Sequence, residues 1–393
     1  MKVALYSGNI PSTTFIENLI DGLSQSGIEI LLFGKQTADV KYKGKVKIFP
    51  LPTKGATLLF YFIKQSVILF YKNPDLFFRS FRILRNKKKK IRKVIKEAGV
   101  IFPMINNQPD IFHIQWAKTV EQHPELFEIL DCKFIVSLRG AHINYSPILD
   151  IKLADAYRKH FPGVNGFHAV SEEIGKEAMK YGAEKNKIKV IHSSINDELL
   201  NINSNLYEAG RKLEIISVGR FHWKKGYHYA IDAMKVLYEN KVDFIYTIIA
   251  QGKIPEEITF LINEYELSEK IKIIQGMKHD ELIRKLQSSH LLILPSVEEG
   301  IANVVLEAMA IGVPVLTTDC GGMAEVVEDE ANGYIVKVRN PDLLADKVMS
   351  FINTDIEFKK TLTQKAKQVI AKEFSRDKQI REFSDFYNSI LCK

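Results

Sequence analysis

Cysteine is scarce in this chain. There are three in 393 residues, Cys132, Cys320 and Cys392, and none stands in a Cys-x-x-Cys pair. That excludes a disulfide scaffold and a structural zinc site, and a reducing compartment fits best. Long hydrophobic runs are missing as well. The longest, Ala56 to Tyr71, has 16 residues and is broken by Lys64 and Gln65, whereas a spanning helix needs about 20 apolar residues. The opening Met1-Lys2-Val3-Ala4-Leu5-Tyr6-Ser7-Gly8 turns polar too quickly for a secretory signal. A cytoplasmic protein is therefore expected. Neither Asp-x-Asp nor His-Glu-x-x-His occurs, so no metal site is expected. Low-complexity segments and repeats are absent, save the run Lys87 to Lys90.

What is present is an ordinary globular composition, 46% hydrophobic and 26% charged, with length for two or three domains. The unusual feature is where the charge lies. Residues 1–190 carry 30 basic and 17 acidic side chains, and residues 191–393 carry 25 and 30. Residues 41–98 alone hold 17 basic and 2 acidic, a net of +15 against +8 for the whole chain.

In the second half, short β-rich runs alternate with amphipathic runs of helical length. Strands are expected at Leu213–Val218, Phe244–Ala250, Ile271–Gln275, Leu291–Pro295, Val313–Thr317 and Tyr334–Val336, with helices near 226–240, 256–266, 279–289, 303–311, 322–328 and 341–353. The first half repeats this more loosely, with strands at Lys2–Tyr6, Ile28–Phe33, Val46–Phe49, Ile111–Ile114, Phe134–Leu138, Gly166–Val170 and Ile188–Ile191. Such alternation predicts α/β architecture: two Rossmann-like, doubly wound domains of parallel strands facing a central cleft. The expected division is 1–195, with a basic helical insertion at 54–99; a polar linker at 196–211; a second domain at 212–372; and a C-terminal helix at 373–393 packing back on the first domain. Ligands of such sheets bind beyond the carboxyl ends of the strands.

Two post-strand segments carry chemistry. After Leu291–Pro295 comes Ser296-Val297-Glu298-Glu299-Gly300-Ile301-Ala302-Asn303, then the helical run from Val304 to Ala310. Asn303 is expected to cap that helix, whose free amides would form a phosphate site. Glu299 and Glu307 bracket it and suit sugar or ribose hydroxyls; alternatively they are a loop charge and a helix-surface charge. After Leu213–Val218 comes Gly219-Arg220-Phe221-His222-Trp223-Lys224-Lys225-Gly226. Gly219 permits a tight exit, and Arg220 and Lys225 can share a diphosphate or stand as solvated cations.

Taken together, residues 217–336 resemble the retaining glycosyltransferases of family 4, which have the GT-B fold. The matching text is Ser217-Val218-Gly219-Arg220 with Lys225-Gly226, Pro295-Ser296-x-x-Glu299-Gly300, the seven-residue gap from Glu299 to Glu307, Glu307-Ala308-Met309-Ala310-x-Gly312-x-Pro314-Val315, and Gly321-Gly322-x-x-Glu325-Val326-Val327. The resemblance implies that Arg220 and Lys225 hold the donor diphosphate, Glu299 the donor sugar and Glu307 the ribose. The backbone from Gly300 through Ile301 and Ala302 to Asn303 would lie near phosphates and sugar. It implies a donor that is a nucleoside-diphosphate sugar, UDP- or GDP-linked, no cofactor and no metal. The acceptor would be a glycan or lipid-linked glycan of cell-surface polysaccharide synthesis. The leaving phosphate oxygen would deprotonate the acceptor hydroxyl on the face it departs from, so no general base is nominated.

The first half matches less closely. Gly8 sits in the loop expected after the first strand and is assigned to the donor, or is a plain strand-to-helix turn. Where many members have His-Gly-x-Asp, this chain has Arg139-Gly140-Ala141-His142. That departure removes the usual histidine and leaves Arg139 and His142 as acceptor or cleft candidates, or as residues with structural roles. His113 ends a strand and is a third candidate, or a satisfied core residue. From Pro74 to Gly99, Phe77, Phe81, Leu84, Ile91, Ile95 and Ala98 follow helical spacing, interrupted by Lys88, with Arg79, Arg82, Arg85, Lys89, Lys93 and Lys96 mostly elsewhere on the helix. A basic amphipathic helix over 74–98 can lie on the inner, anionic face of a membrane or pack on a core with a solvated basic face. Two rival functions remain: a sugar-nucleotide epimerase or phosphorylase of the same fold, and a nucleic-acid binder using the lysine run. The binder would make the two post-strand sets coincidental, and nucleic acid is not expected as a partner.

Overall fold

A computed structural model describes residues 1–52, 55–85, 90–205, 207–208 and 211–392. Two sheets organise them, and every strand pair is parallel. The first comprises β1 (Lys2–Ile10), β2 (Glu29–Gln36), β3 (Val46–Pro50), β4 (Ile111–Ile114), β5 (Lys133–Leu138), β6 (Gly166–Ala169) and β7 (Ile188–Val190) in the order β3-β2-β1-β4-β5-β6-β7. The second comprises β8 (Leu213–Arg220), β9 (Phe244–Gln251), β10 (Ile271–Ile274), β11 (Leu291–Leu294), β12 (Val315–Thr318) and β13 (Tyr334–Val336) in the order β10-β9-β8-β11-β12-β13. Both are α/β, Rossmann-like sheets.

The strands carry apolar residues on both faces because both faces are covered. In β2, Ile30 and Leu32 enter one core cluster while Leu31 and Phe33 enter another. In β11, Leu291 and Ile293 face one side and Leu292 and Leu294 the other. Over these apolar runs neither strand offers a polar face to water; only the end of β2, Lys35 and Gln36, is exposed. The order reverses between β1 and β4 in one sheet and between β8 and β11 in the other. Chains leave those neighbours in opposite directions, which opens a crevice at their carboxyl ends.

The chain divides into two compact units, Met1–Ile191 with Gln379–Lys393, and His192–Lys378. The segment 196–211, expected as a linker, packs on the second unit where it is described. Ile195 and Leu199 enter its core, and the Lys367 ammonium donates to the Ile202 carbonyl at 2.5 Å and to Asn203 Oδ1 at 2.8 Å. Buried apolar side chains hold this polar stretch down. At the other end, helix Arg376–Leu391 buries Phe383, Phe386, Tyr387 and Ile390 beside Val3 and Leu5 of the first unit. Gly166 makes room for it, since a Cβ there would meet Phe386 and Ile390 at 2.8 Å.

Three local expectations change. The first strand does not end at Tyr6 but runs to Ile10 through a register shift between Tyr6 and Gly8. The helix expected at 322–328 is only the 3-10 turn Met323–Glu325. The single basic helix over 74–98 is two helices, and a more apolar one precedes them. They are α2 (Gly55–Lys72), α3 (Pro74–Arg85) and α4 (Ile91–Asn107). Lys88 and Lys89 lie outside the described residues. Ile91 is exposed, so the apolar stripe read across 74–98 does not continue from one helix to the next.

Candidate active site

In the second unit, the chain leaving β8 turns through Trp223–Lys225 and enters the helix Tyr227–Glu239 at Gly226. Gly226 has φ of 61°, and a Cβ there would stand 2.1 Å from the Pro295 carbonyl oxygen. Only glycine lets this turn lie against the end of β11. The Val297 amide donates to the Lys224 carbonyl at 2.7 Å, joining the two post-strand segments. Gly219 serves differently: a Cβ on it would meet Lys225 Cε at 2.9 Å, so its lack of a side chain leaves the channel in which Lys225 extends.

That side chain ends on Glu299. Lys225 Nζ is 2.5 Å from Glu299 Oε1, and Lys224 Nζ is 3.7 Å from Glu299 Oε2 and 3.3 Å from Glu298 Oε2. The Ser296 hydroxyl donates to Glu299 Oε1 at 3.3 Å. Glu299 is 8% exposed. Burial by itself would raise its pKa, but Lys225, then Lys224, more than offset this and hold the carboxyl below the usual range. It is an ionised acid in a cluster of two lysines and two glutamates whose charges balance. Arg220 stands exposed at the end of β8, with no ion-pair partner among the described residues. It is a cation at this edge able to meet an incoming anion.

Gly300 and Ala302 are buried and Ile301 half-buried, and the helix they lead into is Asn303–Ala310. Asn303 is its first residue rather than its cap. The capping position is Ala302, and no side chain caps the first amides. The Val305 amide turns back to the Ala302 carbonyl at 3.0 Å, and the two before it, of Asn303 and Val304, are placed to meet a ligand. Glu307, on the same helix, is half-buried and has His279 Nε2 at 3.9 Å. Burial pushes its carboxyl up to about 7. Two acids eight positions apart thus differ in kind: one is held ionised by lysines, the other titrates near neutrality.

In the first unit, the crevice at the ends of β1, β4 and β5 gathers Gly8, Trp116, Arg139 and His142, together with Phe15 from α1 (Thr14–Gln25). Gly8 lies within β1, at φ of 82°, and not in the loop beyond it. The Trp116 indole donates to the Ser7 carbonyl at 2.9 Å and meets the His142 ring edge-on at 5.4 Å. Arg139 lies over the Phe15 ring at 4.5 Å and donates to Gln115 Oε1 at 3.2 Å. Its Nε and the Nδ1 of His142 are buried without a hydrogen-bond partner among the described residues. Burial lowers the guanidinium to about 9, still charged at neutral pH. Burial, then Lys118, lowers His142 to about 4, leaving it neutral.

His113 is not part of this crevice. Its ring is fully buried, with Nδ1 2.7 Å from Tyr387 Oη and Nε2 2.8 Å from Ser137 Oγ. The chain continues from Ser137 to His168 at 2.8 Å and from His168 to the Ile191 carbonyl at 2.9 Å. Burial and then the Arg139 charge push His113 down to about 3. A strand of four inward-facing residues gave it no route to a surface, so its role is the core one.

With this geometry in place, two family models account for nearly the whole chain. Glycosyltransferase Family 4 matches residues 12–199 and Glycosyl transferases group 1 matches residues 201–369. The chain belongs to the group 1, family 4-like glycosyltransferases. Among relatives, it is 30% identical over 184 residues to the putative colanic acid biosynthesis glycosyltransferase WcaL of Escherichia coli, covering 45% of each chain. It is 28% identical over 265 residues to the amylovoran biosynthesis glycosyltransferase AmsK of Erwinia amylovora, covering 64% of each. The alignments span about half the length of the curated relatives. HepE of Anabaena, solved in complex with UDP-glucose, superposes with a TM-score of 0.72 over 99% of this chain and 100% of that one, at 16% identity. That likeness shows the GT-B fold.

Several residues of these constellations carry no signal in the sequence. Lys224 follows a tryptophan and precedes another lysine, and spacing cannot say which lysine turns inward; both do. Ser296 and Gln115 are polar residues that only their partners distinguish. Phe15 and Trp116 look like ordinary apolar positions until Arg139 and His142 are seen against them.

Proposed function

We propose that this protein transfers a sugar from a nucleoside-diphosphate sugar to a glycan or lipid-linked glycan, with retention of anomeric configuration and without a metal. The observation that carries the reading is the Lys225–Glu299 pair at the carboxyl edge of the second sheet, beside Arg220 and an uncapped helix N-terminus. A diphosphate needs fixed cations and amides to stabilise the charge that develops as it leaves, and removal of one such donor typically slows an enzyme about 100- to 1,000-fold. Arg220 and Lys225 would supply the cations and Gly300 to Asn303 the amides. Glu299, held ionised, would accept from donor-sugar hydroxyls, and Glu307 from the ribose. The leaving phosphate oxygen would take the acceptor proton, which asks for no separate base.

The relatives named for colanic acid and amylovoran synthesis support a cell-surface polysaccharide as destination, and the UDP-glucose bound to HepE supports a UDP-linked donor. On the acceptor side, we assign the part of the crevice formed by Trp116, Arg139 and His142, where the buried nitrogens of Arg139 and His142 offer directional polar contacts, and we keep Gly8 on the donor side. Among the described residues no helix is long and apolar enough to cross a membrane. A membrane-held acceptor would be met at the surface, through the basic region that includes 74–98. Each cation near an anionic bilayer contributes about 1 kcal/mol.

The test is a panel of UDP-, GDP- and ADP-sugars incubated with wild-type protein and with Lys225→Ala. Released nucleoside diphosphate from one donor and its loss in the variant are expected, with the product keeping the donor's anomeric coupling by proton NMR. Equal release by Lys225→Ala, or an inverted product, would sink the assignment.

A further inference from the structure

The most conspicuous unexplained surface lies on α2. Leu59, Phe60, Ile63, Val67, Phe70 and Tyr71 are all exposed, Phe60 at 71% and Tyr71 at 83%. At 100° per residue they fall within roughly 120° of the helix circumference. The opposite arc does the ordinary work: Leu69 is buried, and Leu58 lies against α4 at Gly99, where a Cβ would come within 3.0 Å. So α2 is apolar on two faces, and among the described residues only one of them has a partner. The free face continues onto α3, because Phe78, also exposed, has its ring 5.9 Å from that of Phe70. Scattered apolar residues need no explanation, but a contiguous face does.

Charge selects what covers it. Among the described residues from 55 to 100, the exposed charges are all cations except Asp75. They include Lys64 and Lys72 on α2, Arg82 and Arg85 on α3, and Arg92 and Lys93 on α4. A second copy of this chain would bring cations against cations, which opposes association. An anionic bilayer offers hydrocarbon to the rings and phosphates to the cations at once.

The stripe also leads somewhere. An open, mostly apolar groove of about 630 Å³ lies at the carboxyl ends of β2 and β3, lined by Pro50, Leu51, Pro52, Ala56, Phe60 and Tyr61, with Lys35 the one cation among the described residues that line it. Its size is that of a small-molecule site. Phe60 belongs both to the groove and to the exposed stripe, and from Ala56 to Tyr71 the helix runs about 22 Å. A hydrocarbon chain entering from a bilayer along Phe60 would meet the apolar part of the groove's lining, with an anionic headgroup toward Lys35.

We infer that α2 lies in the surface of an anionic bilayer and that the groove takes the hydrocarbon of a phosphate-bearing lipid, the lipid-linked acceptor. The identity of that lipid as acceptor rests on the glycosyltransferase reading; the two binding events do not.

The experiment uses the full chain, vesicles of phosphatidylglycerol with phosphatidylcholine or of phosphatidylcholine alone, and monomeric dodecyl phosphate as groove probe. Exposed positions are changed so that folding is undisturbed: Ile63→Glu on the stripe and Ala56→Trp in the groove. Wild type should sediment with the anionic vesicles only, Ile63→Glu should lose this roughly tenfold, and Ala56→Trp should keep it. Dodecyl phosphate should bind wild type and Ile63→Glu saturably and Ala56→Trp at least roughly tenfold more weakly. Inorganic phosphate should not compete. Failure to bind vesicles, with a dimer in solution that Ile63→Glu dissociates, would overturn the bilayer in favour of a second copy. Unchanged binding to Ala56→Trp, or competition by inorganic phosphate, would overturn the lipid groove. Sugar-nucleotide turnover is scored separately. A chain inert towards every donor overturns the transferase reading, while the vesicle and alkyl phosphate results still judge the groove.

Discussion

The α-carbon of Gly321 stands against the carbonyl of Glu299: a Cβ there would lie 1.7 Å from that oxygen. Gly321 also has φ of 55°, and the next amide, of Gly322, donates to the Gly300 carbonyl at 2.8 Å. The loop that ends β12 is therefore the wall on which the acidic loop after β11 rests. Gly226 presses on the end of β11 from the other side. Between them the two glycines set where the Glu299 carboxylate can be.

Gly321→Ala should displace that loop without touching either core. We expect donor turnover to fall by about 100-fold or more, as for other small misplacements of a reacting group. Far-ultraviolet circular dichroism should stay unchanged. An alanine variant with wild-type kcat/KM would show that the loop position is not set here.

Removing Lys225 leaves Glu299 buried beside the more distant Lys224. Lys225→Ala should cost about 1–3 kcal/mol of stability, besides abolishing turnover. Adding Glu299→Gln removes the charge in need of a partner, so the double variant should regain part of that stability and none of the activity. A denaturant-melt double-mutant cycle gives the coupling; strict additivity would argue that the pair is incidental.

Glu307 binds its proton more tightly folded, at about 7, than an ordinary glutamate does. Between the ordinary value and 7 the native state carries the extra proton, so stability falls as pH rises through this window and levels off above it. The amount is about 3 kcal/mol at most. Glu307→Gln should flatten this slope, seen as a smaller change in urea midpoint between pH 5 and pH 8, both pH values being of order the window's limits. A slope identical to wild type would mean the carboxyl is not desolvated in solution.

For His113 the sign is opposite. Folded, it is neutral down to about 3; unfolded, it protonates at the ordinary histidine value. Its contribution to stability is complete above that value and is lost as pH falls toward 3. His113→Gln should weaken the acid dependence and leave donor KM at neutral pH unaltered. A raised KM with an unchanged melting temperature would return this residue to the active site.

The strands were legible because a parallel sheet covered on both faces needs unbroken apolar runs, and Leu291–Leu294 or Ile111–Ile114 admit little else. Strand-end position left Gly219, Arg220, Lys225, Glu299 and Glu307 open to reading as turn residues and surface charges, and only the resemblance to a known family made them legible as a set. Helix count in the basic region was not. Residues such as Phe60 and Val67 look like core until the helix is seen to have already used its other face. Nor did periodicity distinguish His113, which tertiary hydrogen bonds from Ser137 and Tyr387 claim for the interior, from His142, which lies beside Trp116.

By itself, the sequence determined the fold class, the two parallel sheets and the strand ends from which chemistry must come, since these depend on local hydrophobic pattern and turn residues. Tertiary structure alone decided which lysine meets Glu299, that Glu307 keeps its proton near neutrality, and that α2 presents an uncovered apolar face. Those properties depend on distance and desolvation between residues far apart in the chain, and no pattern of neighbours encodes them.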